Sequence, residues 1–216
     1  MPYNPLKAKD YWDTRFIREG RLWGDAPSDT ATKARDLFTA GSVRTVFVPG
    51  SGYGRNSRVF SRAGFDVVAV EISGVACDLA RTYDPHSKLL CGSCLELPHE
   101  SKRCDAIYCF NLLHFFLEPE RHLLVSRFLN LLEPNGLLYL VVFSEQESNY
   151  GKGTMVEKDT FETRPGRPAH YFTHDDLMAH LGGFNVMETA LTHDREDHGE
   201  GPHTHVLRYA VARRPV

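Results

Sequence analysis

Three glycines at alternate positions, Gly50, Gly52 and Gly54, directly follow an apolar run that predicts a buried strand. An acidic residue, Glu71, stands at the end of the next predicted strand. Glycines let the backbone approach a ligand closely because they have no Cβ atom, and a carboxylate about 20 residues further on can bind both hydroxyls of a ribose. The combination predicts a site for a cofactor that contains adenosine.

The spacing of these glycines distinguishes between two cofactors. A dinucleotide site usually has the pattern G-x-G-x-x-G, and here Arg55 occupies the position of the third glycine. The observed G-x-G-x-G spacing resembles the first motif of class I S-adenosylmethionine (SAM) methyltransferases. The resemblance extends over nearly the whole chain, and Val48-Pro49-Gly50 is similar to the branch with the tellurite-resistance-type and thiol methyltransferases. A structural turn in another α/β sheet is the alternative.

The N-terminal segment resembles the tellurite-resistance type as well. It contains Tyr11-Trp12-Asp13-x-Arg15-Phe16, Gly20, Trp23-Gly24 and Pro27-Ser28. The chain departs from the family at two positions: Val48 stands where many class I enzymes have an acid, and Ser93 stands where the family often has an aspartate that binds the adenine amine. A serine hydroxyl binds an amine more weakly than a carboxylate does, because charge-assisted hydrogen bonds are stronger.

The resemblance implies SAM as the cofactor and gives it a set of binding residues. The glycine loop would contact the methionine part, Glu71 the ribose, and the segment after the third strand the adenine. The cofactor-binding residues predicted in this way are Trp12, Arg15, Gly50, Ser51, Gly52, Asn56, Glu71, Ile72, Ser93, Cys94, Leu95, Asn111 and Leu112. The residues predicted to bind the methyl acceptor are Tyr11, Trp23, Tyr150, Arg164, Tyr171, His203 and His205.

The loop after the fourth predicted strand contains His114, the candidate catalytic residue. The resemblance implies that the start of this loop contacts the methionine part of SAM, which would let His114 face the transferred methyl group. The alternative is that His114 caps the following turn or packs against Phe115. Transfer to a soft anion needs little acid or base, whereas a hydroxyl or amine acceptor usually needs a base, a role open to His114 or His203.

Residues 144–172 form a long segment between the fifth strand and the next helix. Loops of this length in compact domains are usually functional or disordered. The aromatic residues and glycines of this segment suit a mobile lid over a small substrate, and Arg164 and Arg167 could bind an anion. A solvated, flexible insert is the alternative. Residues 1–43 are expected to form an N-terminal helical cover.

Histidines are densest between residues 193 and 205. His203 and His205 alternate across Thr204, so on a strand they point to the same face. Together with His193 or His198, these two histidines would suit a transition metal. The alternative is a hairpin turn whose histidines are solvated. We favour a role in shaping the acceptor pocket and assign no metal.

The chain contains five cysteines, an odd number that favours reduced thiols over a disulfide framework. Cys91 and Cys94 form a C-x-x-C pair, but Cys104 and Cys109 do not provide the second pair that zinc normally requires. We interpret the C-x-x-C spacing as incidental and expect Cys94 to line the cofactor pocket through its backbone.

Strand and helix patterns alternate along the chain, which predicts one α/β domain over residues 1–216. The predicted architecture is a Rossmann-like, doubly wound sheet of seven strands, mostly parallel, with an antiparallel C-terminal hairpin. The predicted strands are Arg44–Val48, Asp66–Val70, Lys88–Cys91, Cys104–Phe110, Leu137–Phe143, Phe184–Thr192 and His205–Arg213. The predicted helices are Ser28–Ala40, Asn56–Ala63, Ser73–Tyr83, Pro119–Leu132 and Thr173–Leu181.

Charge and hydropathy reduce the number of possible partners and functions. The formal net charge is -3 and the basic residues are dispersed, which argues against nucleic acid as the main partner. The chain has neither a signal peptide pattern nor an apolar run long enough for a bilayer, so we expect a cytoplasmic protein without a membrane partner. The predicted function is methyl transfer from SAM to a small molecule, with a thiol, selenium or tellurium acceptor favoured by resemblance. The alternatives are a non-catalytic SAM or metal sensor and, less favoured, a dinucleotide-dependent oxidoreductase.

Overall fold

The computed structural model describes residues 4–96, 103–164, 166–197 and 201–216. The strands are β1 (Thr45–Pro49), β2 (Asp66–Glu71), β3 (Lys88–Cys91), β4 (Cys104–Phe110), β5 (Leu132–Phe143), β6 (Thr154–Glu157), β7 (Thr160–Arg164), β8 (Arg167–His170), β9 (Asn185–Asp197) and β10 (Pro202–Arg213). The helices are α1 (Pro5–Glu19), α2 (Asp29–Ala40), α3 (Ser57–Arg62), α4 (Gly74–Tyr83), α5 (Glu118–Leu131) and α6 (His174–His180). A short 3-10 helix (Leu113–Phe115) follows β4.

Seven strands form one sheet in the order β3-β2-β1-β4-β5-β10-β9. The first five strands pair in parallel, and β10 runs antiparallel to both β5 and β9. This topology confirms the predicted Rossmann-like sheet with a C-terminal hairpin. The strand order reverses between β1 and β4, and ligands of open α/β sheets bind at the carboxyl ends of the strands beside such a reversal.

Helices cover both faces of the sheet. Ala34 and Phe38 of α2 belong to the apolar cluster on one face, and Leu124 and Phe128 of α5 belong to the cluster on the other. Every residue from Leu137 to Val142 is buried, as expected for a strand between two helical layers. The predicted caps are also present: Ser28 accepts a hydrogen bond from Ala31 N–H, and Thr173 accepts one from Asp176 N–H.

Strand β5 and both strands of the hairpin, β9 and β10, are longer than predicted because their polar ends find backbone partners. β5 begins at Leu132 instead of Leu137, since Asn135 N–H donates to Arg214 O at 3.1 Å and Arg214 N–H donates to Gly136 O at 2.9 Å. The hairpin extends to Asp197 and starts again at Pro202, because residues 193–197 pair with residues 202–206. Neither extension has an apolar alternation that would predict a strand.

The segment 144–172 contains β6, β7 and β8, which form a three-stranded antiparallel sheet. We call this unit the small sheet. The sequence predicts no strand in this segment, so the small sheet is an addition to the predicted architecture. Gly153 allows close approach of β6 and β7, since a Cβ atom at this position would collide with the backbone of Glu162.

The expectation of five reduced thiols is wrong, because Cys77 of α4 and Cys91 of β3 form a disulfide with a Cα–Cα distance of 6.2 Å. That spacing lies within the range a disulfide spans. The remaining cysteines, Cys94, Cys104 and Cys109, are free and buried. Cys94 therefore does not pair with Cys91, and burial raises the pKa of its thiol to about 12.

Within the described ranges, none of the helices is both long enough and apolar enough to cross a membrane.

Candidate functional site

A cavity of about 1600 Å³ opens at the carboxyl ends of the parallel strands. Pockets for one small molecule usually measure roughly 300–1,000 Å³, so this cavity has room for two ligands. Two groups of residues line it. The cofactor side comprises Pro49, Gly50, Ser51, Gly52, Val70, Glu71, Ile72, Gly92, Ser93, Cys94, Asn111 and Leu112. The acceptor side comprises Phe143, Glu147, Arg164, Arg167, Tyr171, His203 and His205.

The structure brings nearly all of the predicted site residues to this cavity. In addition to residues of these two sides, Tyr11, Trp12, Arg15, Trp23 and Asn56 line it. Three predicted residues do not line it: Leu95, His114 and Tyr150. Leu95 belongs to the apolar core instead.

The glycine loop follows β1 and has the backbone shape that its sequence requires. Gly50 and Gly52 have φ values of 65° and 57°, in the left-handed region that favours glycine. A Cβ atom at Gly50 would come within 2.9 Å of Leu112 Cδ1, so glycine also allows the loop after β4 to pack closely. Between the two glycines, the hydroxyl of Ser51 is buried and has no hydrogen-bond partner.

Glu71 lies at the end of β2, where the sequence predicts a ribose ligand. Its carboxylate accepts hydrogen bonds from Gly52 N–H and Ser73 N–H, both at 2.8 Å. Burial raises the pKa of this carboxyl, and the two N–H groups oppose that effect. Glu71 thereby joins the glycine loop to the start of α4 while lining the cavity.

Asn111 completes the cofactor side from the loop after β4. Its φ of 49° lies in the left-handed region, which is uncommon for a residue with a side chain. Its side-chain oxygen is buried and, like the hydroxyl of Ser51, has no hydrogen-bond partner. Such buried atoms without partners are rare, and a polar ligand bound at this wall would give both of them a partner.

Helix α1 covers the cavity through an aromatic cluster. Trp12 and Phe16 of α1 pack with Trp23 and Tyr53, with ring centroids 5.9–6.2 Å apart. Asp13 fixes this cover to the sheet, since its carboxylate accepts hydrogen bonds from Ser73 Oγ at 2.6 Å and Val75 N–H at 3.2 Å. Helix α1 thus rests on the start of α4, next to Glu71.

Arg167 of the small sheet contributes a partly buried positive charge to the acceptor side. Its Nη1 donates to Tyr11 Oη at 3.0 Å, and its guanidinium lies 4.6 Å from the ring centroid of Phe115. Burial lowers the pKa of Arg167. In the part of the chain that the structure describes, no carboxylate forms an ion pair with it. Arg164 is exposed and contacts the same Tyr11 oxygen at 3.5 Å.

Glu147 lies opposite the histidines of β10 and was missed by the sequence reasoning. Its Oε1 lies 2.8 Å from Nδ1 of His205, and its Oε2 accepts a hydrogen bond from Val206 N–H at 2.7 Å. Nε2 of His205 lies 3.2 Å from Nε2 of His203. No spacing signal connects Glu147 with His205, because 58 residues separate them.

His114 is fully buried behind the cavity wall. Its Nδ1 accepts a hydrogen bond from Phe143 N–H at 3.2 Å, and its ring stacks on Phe143 at 3.7 Å and packs edge-on against Phe115 at 4.2 Å. Burial holds the pKa of His114 well below its ordinary value. The geometry matches the packing alternative, so we do not propose His114 as a catalytic residue.

Tyr150 and His193 also lie away from their predicted roles. The Tyr150 hydroxyl donates to Asp159 at 2.8 Å, outside the cavity, and its ring supports Tyr171. His193 pairs with Val206 and so lies on the face of the hairpin opposite His205. The described residues include no group of three or more His, Cys, Asp or Glu side chains placed to hold a metal. His198 lies outside the described residues.

Part of the chain is similar to a known protein family. Residues 48–140 match a family described as a methyltransferase domain. An uncharacterized methyltransferase from Schizosaccharomyces pombe is 24% identical over 118 residues, which cover 54% of this chain and 46% of that protein. The chain thus spans about half the length of the curated relative it matches.

Two solved structures share the fold. Magnesium protoporphyrin IX methyltransferase from Synechocystis PCC 6803, solved with bound SAM, is 18% identical with a TM-score of 0.70, covering 97% of this chain and 96% of that one. TehB from Haemophilus influenzae is 14% identical with a TM-score of 0.67, covering 95% of this chain and 66% of that one. The chain therefore has the fold of SAM-dependent methyltransferases, and residues 48–140 are similar to a methyltransferase domain.

The residues on the cofactor side of the cavity are suited to bind SAM. The buried polar atoms of Ser51 and Asn111 lack partners, the glycine loop leaves room for close backbone contact, and the Glu71 carboxylate lines the same wall. Bound here, SAM would offer its amino acid group to the first two and its ribose hydroxyls to the third.

Proposed function

We propose that this protein transfers a methyl group from SAM to a small-molecule acceptor. The observation that carries the proposal is one cavity with a glycine loop and a ribose-type carboxylate on one side and a polar, aromatic compartment on the other. Transfer between two molecules becomes fast when both are held in one enclosed space in the right orientation.

Each side of the cavity has a role in this proposal. The glycine loop, Asn111 and Leu112 hold the methionine part of SAM, Glu71 and Ile72 hold the ribose, and Ser93 and Cys94 contact the adenine. When bound, SAM supplies an electrophilic methyl group on a sulfonium sulfur. Residues 1–43, with Trp12 and Arg15, cover the cofactor, and residues 144–172 close the acceptor compartment as a lid built on the small sheet.

The favoured acceptors are a thiol or a selenium or tellurium species. The support is the resemblance of the Val48-Pro49-Gly50 motif and the N-terminal aromatic segment to tellurite-resistance-type and thiol methyltransferases. The partly buried guanidinium of Arg167 adds physical support, because it provides charge and planar donors for an anionic acceptor. A role in tellurite resistance rests on the same resemblance.

A thermal-shift titration with SAM, S-adenosylhomocysteine and NAD tests the cofactor. A ligand at 100 times its Kd stabilises a folded protein by about 2.7 kcal/mol. We expect the first two ligands to raise the Tm and NAD to leave it unchanged. A shift with NAD alone would show the oxidoreductase alternative to be right, and melting that responds to a chelator instead would favour the metal-sensor alternative.

An acceptor screen follows from a positive result. The protein is incubated with SAM and, in separate samples, with thiols, with selenite or tellurite and a reductant, and with hydroxyl and amine compounds, and production of S-adenosylhomocysteine is measured. Turnover with thiols or reduced chalcogen species supports the favoured acceptors. Turnover confined to hydroxyl or amine compounds contradicts them while leaving the methyltransferase proposal intact.

A further inference from the structure

The pair formed by Glu147 and His205 has the geometry of a general base and its positioning residue. Nδ1 of His205 lies 2.8 Å from Oε1 of Glu147, a carboxylate that is only 5% exposed. A carboxylate accepts hydrogen bonds and cannot donate one when ionised, so Nδ1 carries the proton. The basic nitrogen of His205 is therefore Nε2.

The backbone holds this carboxylate firmly in place. Glu147 N–H donates to Ser144 O at 3.0 Å, which closes a turn at the end of β5. Ser144 Oγ donates to Val206 O at 2.6 Å, and Val206 N–H donates to Glu147 Oε2 at 2.7 Å. Both backbone polar groups of Val206, its N–H and its C=O, are thus bonded to this turn, so Glu147 and His205 keep their relative orientation.

A second imidazole lies next to the basic nitrogen of His205. Nε2 of His205 lies 3.2 Å from Nε2 of His203, and His203 is exposed. Both histidines and Glu147 line the acceptor side of the cavity. The array runs from the buried carboxylate through an imidazole at the cavity wall to an imidazole in contact with water.

We propose that His205 accepts a proton from the methyl acceptor, with Glu147 as its positioning residue. The inference rests on the proposed methyltransferase function and names its substrate class: a hydroxyl, a thiol or a protonated amine (an ammonium group) that still carries its proton when it binds. The X–H bond of the acceptor breaks, the proton joins Nε2 of His205, and the electron pair stays on X, which becomes the nucleophile.

Arg167 indicates a second property of this acceptor. Tyr171 stacks on Phe143 with ring centroids 5.8 Å apart, and it lies within the electrostatic reach of both Glu147 and Arg167. The Glu147–His205 pair and the Arg167 guanidinium therefore border the same space. A small molecule with an anionic group at Arg167 and a protonated nucleophile at His205 satisfies both.

Side-chain nitrogen NMR of the histidines tests the pair without any acceptor. In the wild-type protein we expect His205 to carry its proton on Nδ1, and in Glu147→Gln we expect that preference and the pH titration of His205 to change. Other charged or titratable groups facing His205 are His203, His114 and Asp194, which pairs with Arg55 at 4.0 Å. An Nε2–H tautomer in the wild-type protein would overturn the proposal.

The matched control is Glu145→Gln. Glu145 belongs to the same turn but binds Arg208, at 2.9 and 3.0 Å, and not His205. We expect this variant to leave the His205 tautomer unchanged. If both variants alter the His205 signals equally, the effect is a general disturbance of the turn and the positioning role is wrong.

Kinetics with two probe thiols test the base. One probe, 3-mercaptopropionate, has a protonated thiol at neutral pH, and the other, 2-nitro-5-thiobenzoate, has an ionised one. Losing a positioned general base costs roughly 100- to 10,000-fold in rate, so we expect a loss of this size for His205→Gln with the first probe only. Equal losses with both probes would overturn the proposal. SAM affinity is measured on the same samples, so that failure of the general-base proposal can be told apart from failure of the methyltransferase proposal. If the wild-type protein does not bind SAM, the methyltransferase function itself is refuted.

Discussion

At the scale of single residues, the cofactor site depends most on Glu71, whose buried carboxylate faces the cavity and bonds to Gly52 N–H and Ser73 N–H. The variant Glu71→Gln keeps the shape of the side chain and removes its charge. Losing a hydrogen bond to a charged group costs about 1.5–3 kcal/mol, so we expect SAM to bind about 10- to 100-fold more weakly. Isothermal titration calorimetry measures this change.

Asp66→Asn is the control, because Asp66 is exposed at the opposite end of the same strand. It should leave the SAM affinity unchanged. If folded Glu71→Gln binds SAM as tightly as the wild-type protein, the ribose assignment is wrong.

Arg167 makes the corresponding prediction for the acceptor side. Arg167→Met keeps an aliphatic side chain against Phe115 but removes the positive charge of the guanidinium. We expect KM for an anionic acceptor to rise about 10- to 100-fold, since a charged hydrogen bond contributes about 1.5–3 kcal/mol, and the Kd of SAM to stay unchanged. Arg164→Met should have a much smaller effect because Arg164 is exposed. Equal effects of the two variants would contradict a special role for Arg167.

The same residues show how far sequence reasoning reaches. The glycines and Glu71 could be predicted because short-range spacing on a strand and its following loop determines where they lie. Glu147 could not, because only the pairing of β10 with β5 brings it to His205. His114 shows the opposite case: its position in a cofactor loop indicated chemistry, but the packing of Phe143 and Phe115 encloses its ring.

At the scale of elements, the cover helix α1 depends on Asp13, which bonds to Ser73 and Val75 at the start of α4. Asp13→Ala removes both hydrogen bonds, which contribute about 1 kcal/mol each and more if charged. We expect faster hydrogen exchange in residues 5–19 and weaker SAM binding, with the rest of the sheet unaffected. Hydrogen-exchange mass spectrometry with and without SAM measures both effects.

Asp10→Ala is the control on the same helix, since Asp10 is exposed and its side chain forms none of these contacts. Exchange that rises equally in the two variants would mean that α1 is destabilised as a helix. The docking of α1 on α4 would then not depend on Asp13.

Some helices and strands can be predicted from their own sequences better than others. Ser28 and Thr173 predicted the starts of α2 and α6 because capping is a local interaction. The small sheet was missed because its strands have four or five residues each and are held by pairing with one another. Short strands of this kind have too few residues to show an alternating pattern.

At the scale of the whole molecule, two buried histidines link stability to pH. Burial lowers the pKa of both His114 and His170 from the ordinary value of 6.5. As the pH falls below 6.5, the unfolded chain takes up protons at these positions before the folded protein does. The free energy of unfolding therefore decreases, by at most about 1.4 kcal/mol per pH unit for each group.

Glu71 acts in the opposite direction. Burial raises its pKa above 4.5, so its contribution to stability is complete below that pH and is lost as the pH rises through the folded value. One carboxyl opposes two histidines, and we expect a net loss of stability on acidification below 6.5. Urea unfolding at a series of pH values between about 5 and 8 measures the slope.

The variant His114→Phe attributes this slope to a residue. A phenyl ring can stack on Phe143 as the imidazole does, but it takes up no proton in either state. We expect a lower free energy of unfolding at neutral pH, because the Phe143 N–H loses its partner, and a shallower decline on acidification. His174→Gln is the control, since His174 is exposed. A slope that is the same in His114→Phe and the wild-type protein would mean that His114 is not held neutral by the fold, and the packing role given to it here would then be wrong.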